Sequence, residues 1–134
     1  MIGLVIVSHS WKIAEGICDL AREMAREHNK IIPAGGLDDG SIGTDALKIL
    51  DAIKAANDGD GVIILADLGS GILSAETAID LLHDDPENNI AVKLADAPIV
   101  EGAICAAVEA VTGGDLESVL KAAEEARENR KILA

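Results

Sequence analysis

Four short aliphatic runs alternate with helical patterns along this chain, and that alternation limits the available folds more than any other feature. The runs are IGLVIV (2–7), KIIPA (30–34), GVIILA (61–66) and IAVKLA (90–95). Each is followed by an apolar series at helical spacing. These series are Ile13, Ile17, Leu20 and Met24; Ala46, Ile49, Leu50 and Ile53; Ile72, Ala75, Ile79 and Leu82; and Val100, Ile104, Ala107, Val108 and Val111. Runs that are apolar on both faces need cover on both faces, and parallel neighbours need crossovers, which the intervening helices supply. The pattern predicts an α/β protein: a three-layer sandwich with a mostly parallel central sheet of at least four strands and helices on both faces. A last helix is predicted from its N-cap Asp115, after the Gly113-Gly114 break, to about Arg127, with a narrow stripe of Leu116, Val119, Leu120 and Ala123. The closing Ile132-Leu133 is expected to pack on the domain or on a second subunit.

The chain has 134 residues, enough for one domain with a real core, and its apolar spacing leaves no room for a linker, so residues 1–134 are expected to form a single domain. Phe and Tyr are absent and Trp11 is the only aromatic residue, so the core must be Ile, Val, Leu and Ala. The net charge of −13 argues against nucleic acid and anionic membrane surfaces as partners, because both attract clustered Lys and Arg. An acidic surface equally suits a salt-rich habitat, so the charge excludes partners without naming one. The first aliphatic run is too short to span a membrane and lacks a basic flank, which leads to the expectation of a cytoplasmic protein with no membrane partner. Cys18 and Cys105 are far apart and form no C-x-x-C pair, so buried, reduced thiols are expected.

In open parallel sheets, ligands sit beyond the carboxyl ends of the strands. Here those ends carry Ser8-His9-Ser10, GGLDDGSIGT (35–44), DLGSG (67–71) and DAP (96–98), whereas the opposite connections, NDGDG (57–61) and DDPENN (84–89), read as ordinary turns. Ser10, Thr44, Ser70 or Ser74, and Asp96 are candidate N-caps, so several helix N-termini with free N–H groups should converge on one rim, a setting that favours a phosphoryl group. Gly35, Gly36, Gly40, Gly43, Gly69 and Gly71 either let the backbone approach an anion closely or simply make turns.

The usual nucleotide signatures are missing: Ser41 stands where a P-loop needs Lys, and no G-x-G-x-x-G follows the first run. His28 and His83 fall at helix C-termini on the opposite rim, where they are expected to complement helix dipoles, so no metal site and no cofactor are expected. That leaves His9 as the nucleophile. An imidazole can attack phosphorus through one nitrogen if the other holds its proton against a carboxylate, and Asp67 is the first candidate for that carboxylate, with Asp96 second. Ser8, Ser10, Gly35, Gly36, Thr44, Gly69 and Ser70 are the candidate phosphoryl-binding residues. From the residues alone, two other readings stay open: a non-catalytic anion-binding regulatory module in which His9 only hydrogen-bonds its ligand, and a purely structural oligomer subunit.

VIVSHS with AEG following, AGGLDDGSIGT, DLGSG leading into a helix with Glu76, and DAPIVEGA resemble, in order and over nearly the whole chain, the mannose-type IIA superfamily of phosphotransferase proteins. DDGSIGT and DAPIVEGA resemble the branch that serves phosphoenolpyruvate-dependent dihydroxyacetone kinases more than the sugar-transport IIA domains, the nearest rival. The resemblance implies that His9 is phosphorylated by phospho-HPr and passes the group to ADP held by a separate kinase subunit, and that Asp67 is the carboxylate paired with the histidine. It also implies a homodimer. Some relatives carry fused carrier domains; with this chain ending at Ala134, a separate donor protein is expected. Gly71 departs from the family, which more often has Ala there. Trp11, at a helix start beside His9, is either a docking side chain for partner proteins or cover for the edge of the core.

Overall fold

The computed structural model describes residues 1–133. The aliphatic runs form strands β1 (Gly3–Ser8), β2 (Ile31–Gly35), β3 (Val62–Ala66) and β4 (Val92–Leu94). The helices are α1 (Trp11–Met24), α2 (Ala46–Ala56), α3 (Gly69–His83), α4 (Ile99–Val111) and α5 (Leu116–Glu125), with a 3₁₀ turn at Ala126–Glu128. The strands order as β2-β1-β3-β4 and every pairing is parallel. This bears out the α/β class, with the sheet parallel throughout the described residues.

Alternation along the strands divides the core into two layers. Leu4, Ile6, Ile63 and Leu65 pack with α1, α4 and α5, while Val5, Val7, Ile64 and Ala66 pack with α2 and α3. Burying one Ile, Leu or Val side chain fully contributes roughly 1.5–3 kcal/mol, and β1 and β3 are buried along their whole length. The chain runs from β1 out to β2, then back across β1 to β3 and on to β4. The direction of winding therefore reverses between β1 and β3, and a crevice opens at their carboxyl ends.

Several local expectations are corrected. On α1 the core face is Ala14, Ile17, Cys18 and Ala21, whereas Ile13, Leu20 and Met24 are exposed. Small residues let α1 lie close to the sheet and α4, so the helix is rotated by about one residue from its bulkier stripe. The α2 cap is Asp45, whose carboxylate accepts the Leu47 N–H at 2.9 Å, not Thr44. Helices α3 and α4 have Leu68 and Pro98 at their N-cap positions, with no side-chain cap bond. The hydroxyls and carboxylate read as caps there bond across loops instead. Ser10 and Asp115 do cap α1 and α5.

His28 does not complement a helix dipole. It is 2% exposed, its Nε2 lies 2.9 Å from the Ile2 carbonyl, and its Nδ1 accepts the Lys30 N–H at 3.1 Å. Cys18 is buried, which pushes its thiol up to about 12, but Cys105 is only half-buried. Ile132 and Leu133 are exposed and do not pack on the rest of the chain. Among the described residues, no helix is long and apolar enough to cross a membrane, and no cluster of His, Cys, Asp and Glu is grouped to hold a metal ion.

Candidate functional site

Parallel pairing of β1 with β3 sets Val7 opposite Ala66, so the residues that follow, His9 and Asp67, leave the sheet side by side although 58 positions apart. His9 Nδ1 lies 2.9 Å from Asp67 Oδ1. The same carboxylate accepts the His9 N–H at 3.0 Å, the Ser8 hydroxyl at 2.8 Å and the Leu68 N–H at 2.7 Å. Burial pushes the Asp67 carboxyl up, but these donated bonds outweigh it and hold Asp67 below the ordinary carboxylate range. An ionised carboxylate can only accept, so Nδ1 of a neutral His9 carries the proton and Nε2 keeps its lone pair.

Nε2 faces the Ser70 hydroxyl in the first turn of α3. Among the described residues, nothing accepts the N–H groups of Gly69 and Ser70, so the uncapped start of α3 offers two donors beside Nε2. The His9 side chain is 23% exposed and Asp67 15%, so the ring can be reached from solvent while its brace is sheltered.

The other predicted residues take distinct places. Ser8 is fully buried; its hydroxyl bonds Asp67 and accepts the Ser10 N–H at 3.1 Å. The Ser10 hydroxyl caps α1. Gly35 packs so tightly on the start of α1 that a Cβ there would lie 2.7 Å from the Ser10 carbonyl oxygen. Gly36 adopts φ 68°, which favours glycine, and its N–H donates to the Ser8 carbonyl. Thr44 bonds α3 through the Ser70 carbonyl and the Ser74 hydroxyl. Asp96 is 90% exposed on its side chain and is tied to Arg127, while its N–H donates to Glu124. Thus the site gathers His9, Asp67, Ser8, Gly69 and Ser70, whereas Gly35, Gly36 and Thr44 shape its walls.

Sequence reasoning did not find Lys48. Its Nζ donates to the Gly35 carbonyl at 3.2 Å and sits 5.1 Å from the centroid of the Trp11 ring. Its position in the first turn of α2, beyond a ten-residue loop, gave no local signal. Trp11 is 40% exposed. It borders an open cleft of about 610 Å³ with Ser10, Lys12, Leu37, Ile42 and Lys48.

The chain that carries this histidine–carboxylate pair matches a known family. The chain belongs to the mannose-type IIA family: the EIIA-man model, described as the fructose IIA component of the PTS system, matches residues 3–120. Within the family it is similar to the phosphoryl donor subunit DhaM of the PEP-dependent dihydroxyacetone kinase of Escherichia coli (strain K12), at 45% identity over 98% of this chain and 28% of that protein. It is also similar to the DhaM subunit of PEP-dependent dihydroxyacetone kinase 2 of Listeria innocua serovar 6a, at 44% identity over 90% of this chain and 95% of that protein. The chain spans just over a quarter of the length of the first of these relatives. A crystallised protein of unknown function matches at 36% identity with a TM-score of 0.78, covering 93% of this chain and 95% of that one. These likenesses bear out the family and the branch read from the four strand-end motifs.

Proposed function

We propose that the chain is a phosphohistidine relay subunit: it accepts a phosphoryl group from phospho-HPr on His9 and passes it to ADP on a separate kinase subunit, driving phosphorylation of dihydroxyacetone. The observation that carries this reading is the brace on Nδ1, 2.9 Å from Asp67, which leaves Nε2 as the nucleophile. As the bond from Nε2 to phosphorus forms, the bond from phosphorus to the donor's nitrogen breaks, and the donor keeps that electron pair. The Nδ1 proton stays in place, and Asp67 balances the positive charge growing on the ring. Ser70 and the free N–H groups of α3 are suited to the phosphoryl oxygens. The reverse sequence delivers the group to ADP, and no covalent chemistry beyond a positioned imidazole is needed.

Four exposed apolar residues, Trp11, Ile42, Leu68 and Leu73, lie on the segments that border His9, which suits protein partners rather than a small substrate. Residues 1–134 are proposed to act as one IIA-type domain, cytoplasmic and homodimeric. The names of the DhaM relatives favour the dihydroxyacetone kinase branch, while the family model's description as a fructose IIA component keeps a sugar-transport role as the second reading.

The test is incubation with phosphoenolpyruvate, enzyme I and HPr. Acid-labile, base-stable phosphate is expected on His9 and absent in His9→Ala; label elsewhere, or equal labelling of the variant, overturns the relay. Adding the kinase subunits, ADP and dihydroxyacetone should then yield dihydroxyacetone phosphate. No turnover despite labelled His9 would favour the transport role.

A further inference from the structure

The first turn of α3 carries the Ser70 hydroxyl that faces His9 Nε2, yet it starts on a weak local footing. Its N-cap is Leu68, with no side-chain bond, and Ser70 is flanked by Gly69 and Gly71. Glycine is about 1 kcal/mol worse than Ala inside a helix and restricts the backbone least. A turn built this way does not by itself hold a hydroxyl to a fraction of an ångström, so a tie from elsewhere is needed.

That tie comes from the glycine-rich loop. The Thr44 hydroxyl donates to the Ser70 carbonyl at 3.3 Å, which leaves its oxygen free to accept the Ser74 hydroxyl, 2.7 Å away. A serine inside a helix can bond the carbonyl four residues back, which for Ser74 is Ser70. Here Thr44 occupies that carbonyl and Ser74 turns to Thr44. The preceding Gly43 donates its N–H to the His9 carbonyl at 2.9 Å. The contacts close a circuit: His9 main chain to Gly43, Thr44 to the first turn of α3, and Ser70 back to the His9 ring.

We propose that the Thr44–Ser74 hydroxyl pair is a positioning element that fixes the first turn of α3 and so sets the Ser70 hydroxyl against His9 Nε2. Its catalytic meaning rests on the relay reading, but the geometry it controls exists in the unphosphorylated protein. Thr44 then acts on Ser70 and not on the phosphoryl group directly.

The test reads the His9 ring nitrogens by ¹⁵N NMR in the full chain without phosphate. In Thr44→Val and Ser74→Ala, the Nε2 resonance should move most of the way to its position in Ser70→Ala, while Nδ1 stays where Asp67 holds it. Ser74→Thr, which keeps the hydroxyl, should stay close to the original protein. Single-turnover phosphoryl uptake from phospho-HPr should slow about tenfold in Thr44→Val and Ser74→Ala with an unchanged half-saturating donor concentration, and recover in Ser74→Thr. Circular dichroism checks each fold, and if one of the two hydroxyl deletions fails to fold, the other carries the comparison. An Nε2 resonance that stays put in the folded deletions overturns the proposal, as does equal slowing in Ser74→Thr. If the original protein takes up no phosphate, only the relay reading fails, because the resonances are read without it.

Discussion

Two histidines mark opposite rims of the same sheet, and both have two ring contacts, yet they are built for different work. At the amino rim His28 is 2% exposed; the Ile2 carbonyl can only accept, so its proton sits on Nε2, and Nδ1 is filled by the Lys30 N–H. At the carboxyl rim His9 is braced through Nδ1 by a sheltered carboxylate, while Nε2 meets only a hydroxyl in a reachable setting. The rings therefore carry their protons on opposite nitrogens. On the proposed relay reading, what separates a structural imidazole from a nucleophile is whether the second nitrogen is closed by fixed backbone in the interior or by a side chain that can yield at the surface.

The sharpest way to break this contrast is to remove His9. His9→Ala should abolish phosphate incorporation and leave the melting temperature nearly unchanged, because the ring faces the rim and not the core; residual labelling by mass spectrometry would refute it. Asp67→Asn should slow transfer by about 10²- to 10³-fold, since an amide can no longer both enforce the Nδ1 proton and balance the ring's charge. Rapid-quench kinetics at saturating donor measure this, and an unchanged rate would take Asp67 out of the mechanism.

The opposite rim should respond in stability alone. His28→Gln is expected to cost roughly 1–3 kcal/mol, measured by urea denaturation, with no change in transfer rate. Burial holds the His28 pKa below its ordinary 6.5, so the unfolded ring gains a proton that the folded ring refuses. Its contribution to stability is present above about pH 6.5 and shrinks as the pH falls below that. The loss on going from pH 7 to pH 5 should therefore be smaller in His28→Gln. Asp67 works in a lower window: its contribution is present above its ordinary 3.8 and is lost as pH falls below that.

The smallest expected effect is at Gly71, where an added Cβ would lie 3.0 Å from Asp67 Oδ1 and 3.7 Å from His9 Cε1. Gly71→Ala should raise stability by less than about 1 kcal/mol through helix propensity. Because the methyl presses on a carboxylate already held by several donors, transfer should change by no more than about threefold. A larger drop would mean that the brace needs the open space that glycine leaves.

Much of this was legible in order of residues alone, for a physical reason. Strands buried on both faces write themselves as unbroken aliphatic runs, and a parallel sheet places all their carboxyl ends on one rim, so the sequence itself groups Ser8, His9, Asp67 and Ser70. Legibility failed where a side chain's partner is distant. The α1 stripe was misread because the bulkier Ile13, Leu20 and Met24 outweighed Ala14, Cys18 and Ala21 in the pattern, while close packing selected the small residues. Thr44 and Asp96 read as helix caps because capping is a local habit, and nothing local reveals a Ser74 hydroxyl 30 positions away or an Arg127 31 positions away.

By itself, the sequence determined the α/β class and singled out the carboxyl rim and His9 as the candidate site, because hydrophobic period and strand-end chemistry are local properties. Only the tertiary structure decided which ring nitrogen is left open, which hydroxyl meets it and what holds that hydroxyl. Those outcomes depend on the β2-β1-β3-β4 order bringing residues 58 to 61 positions apart into hydrogen-bond contact, a register that no local pattern encodes.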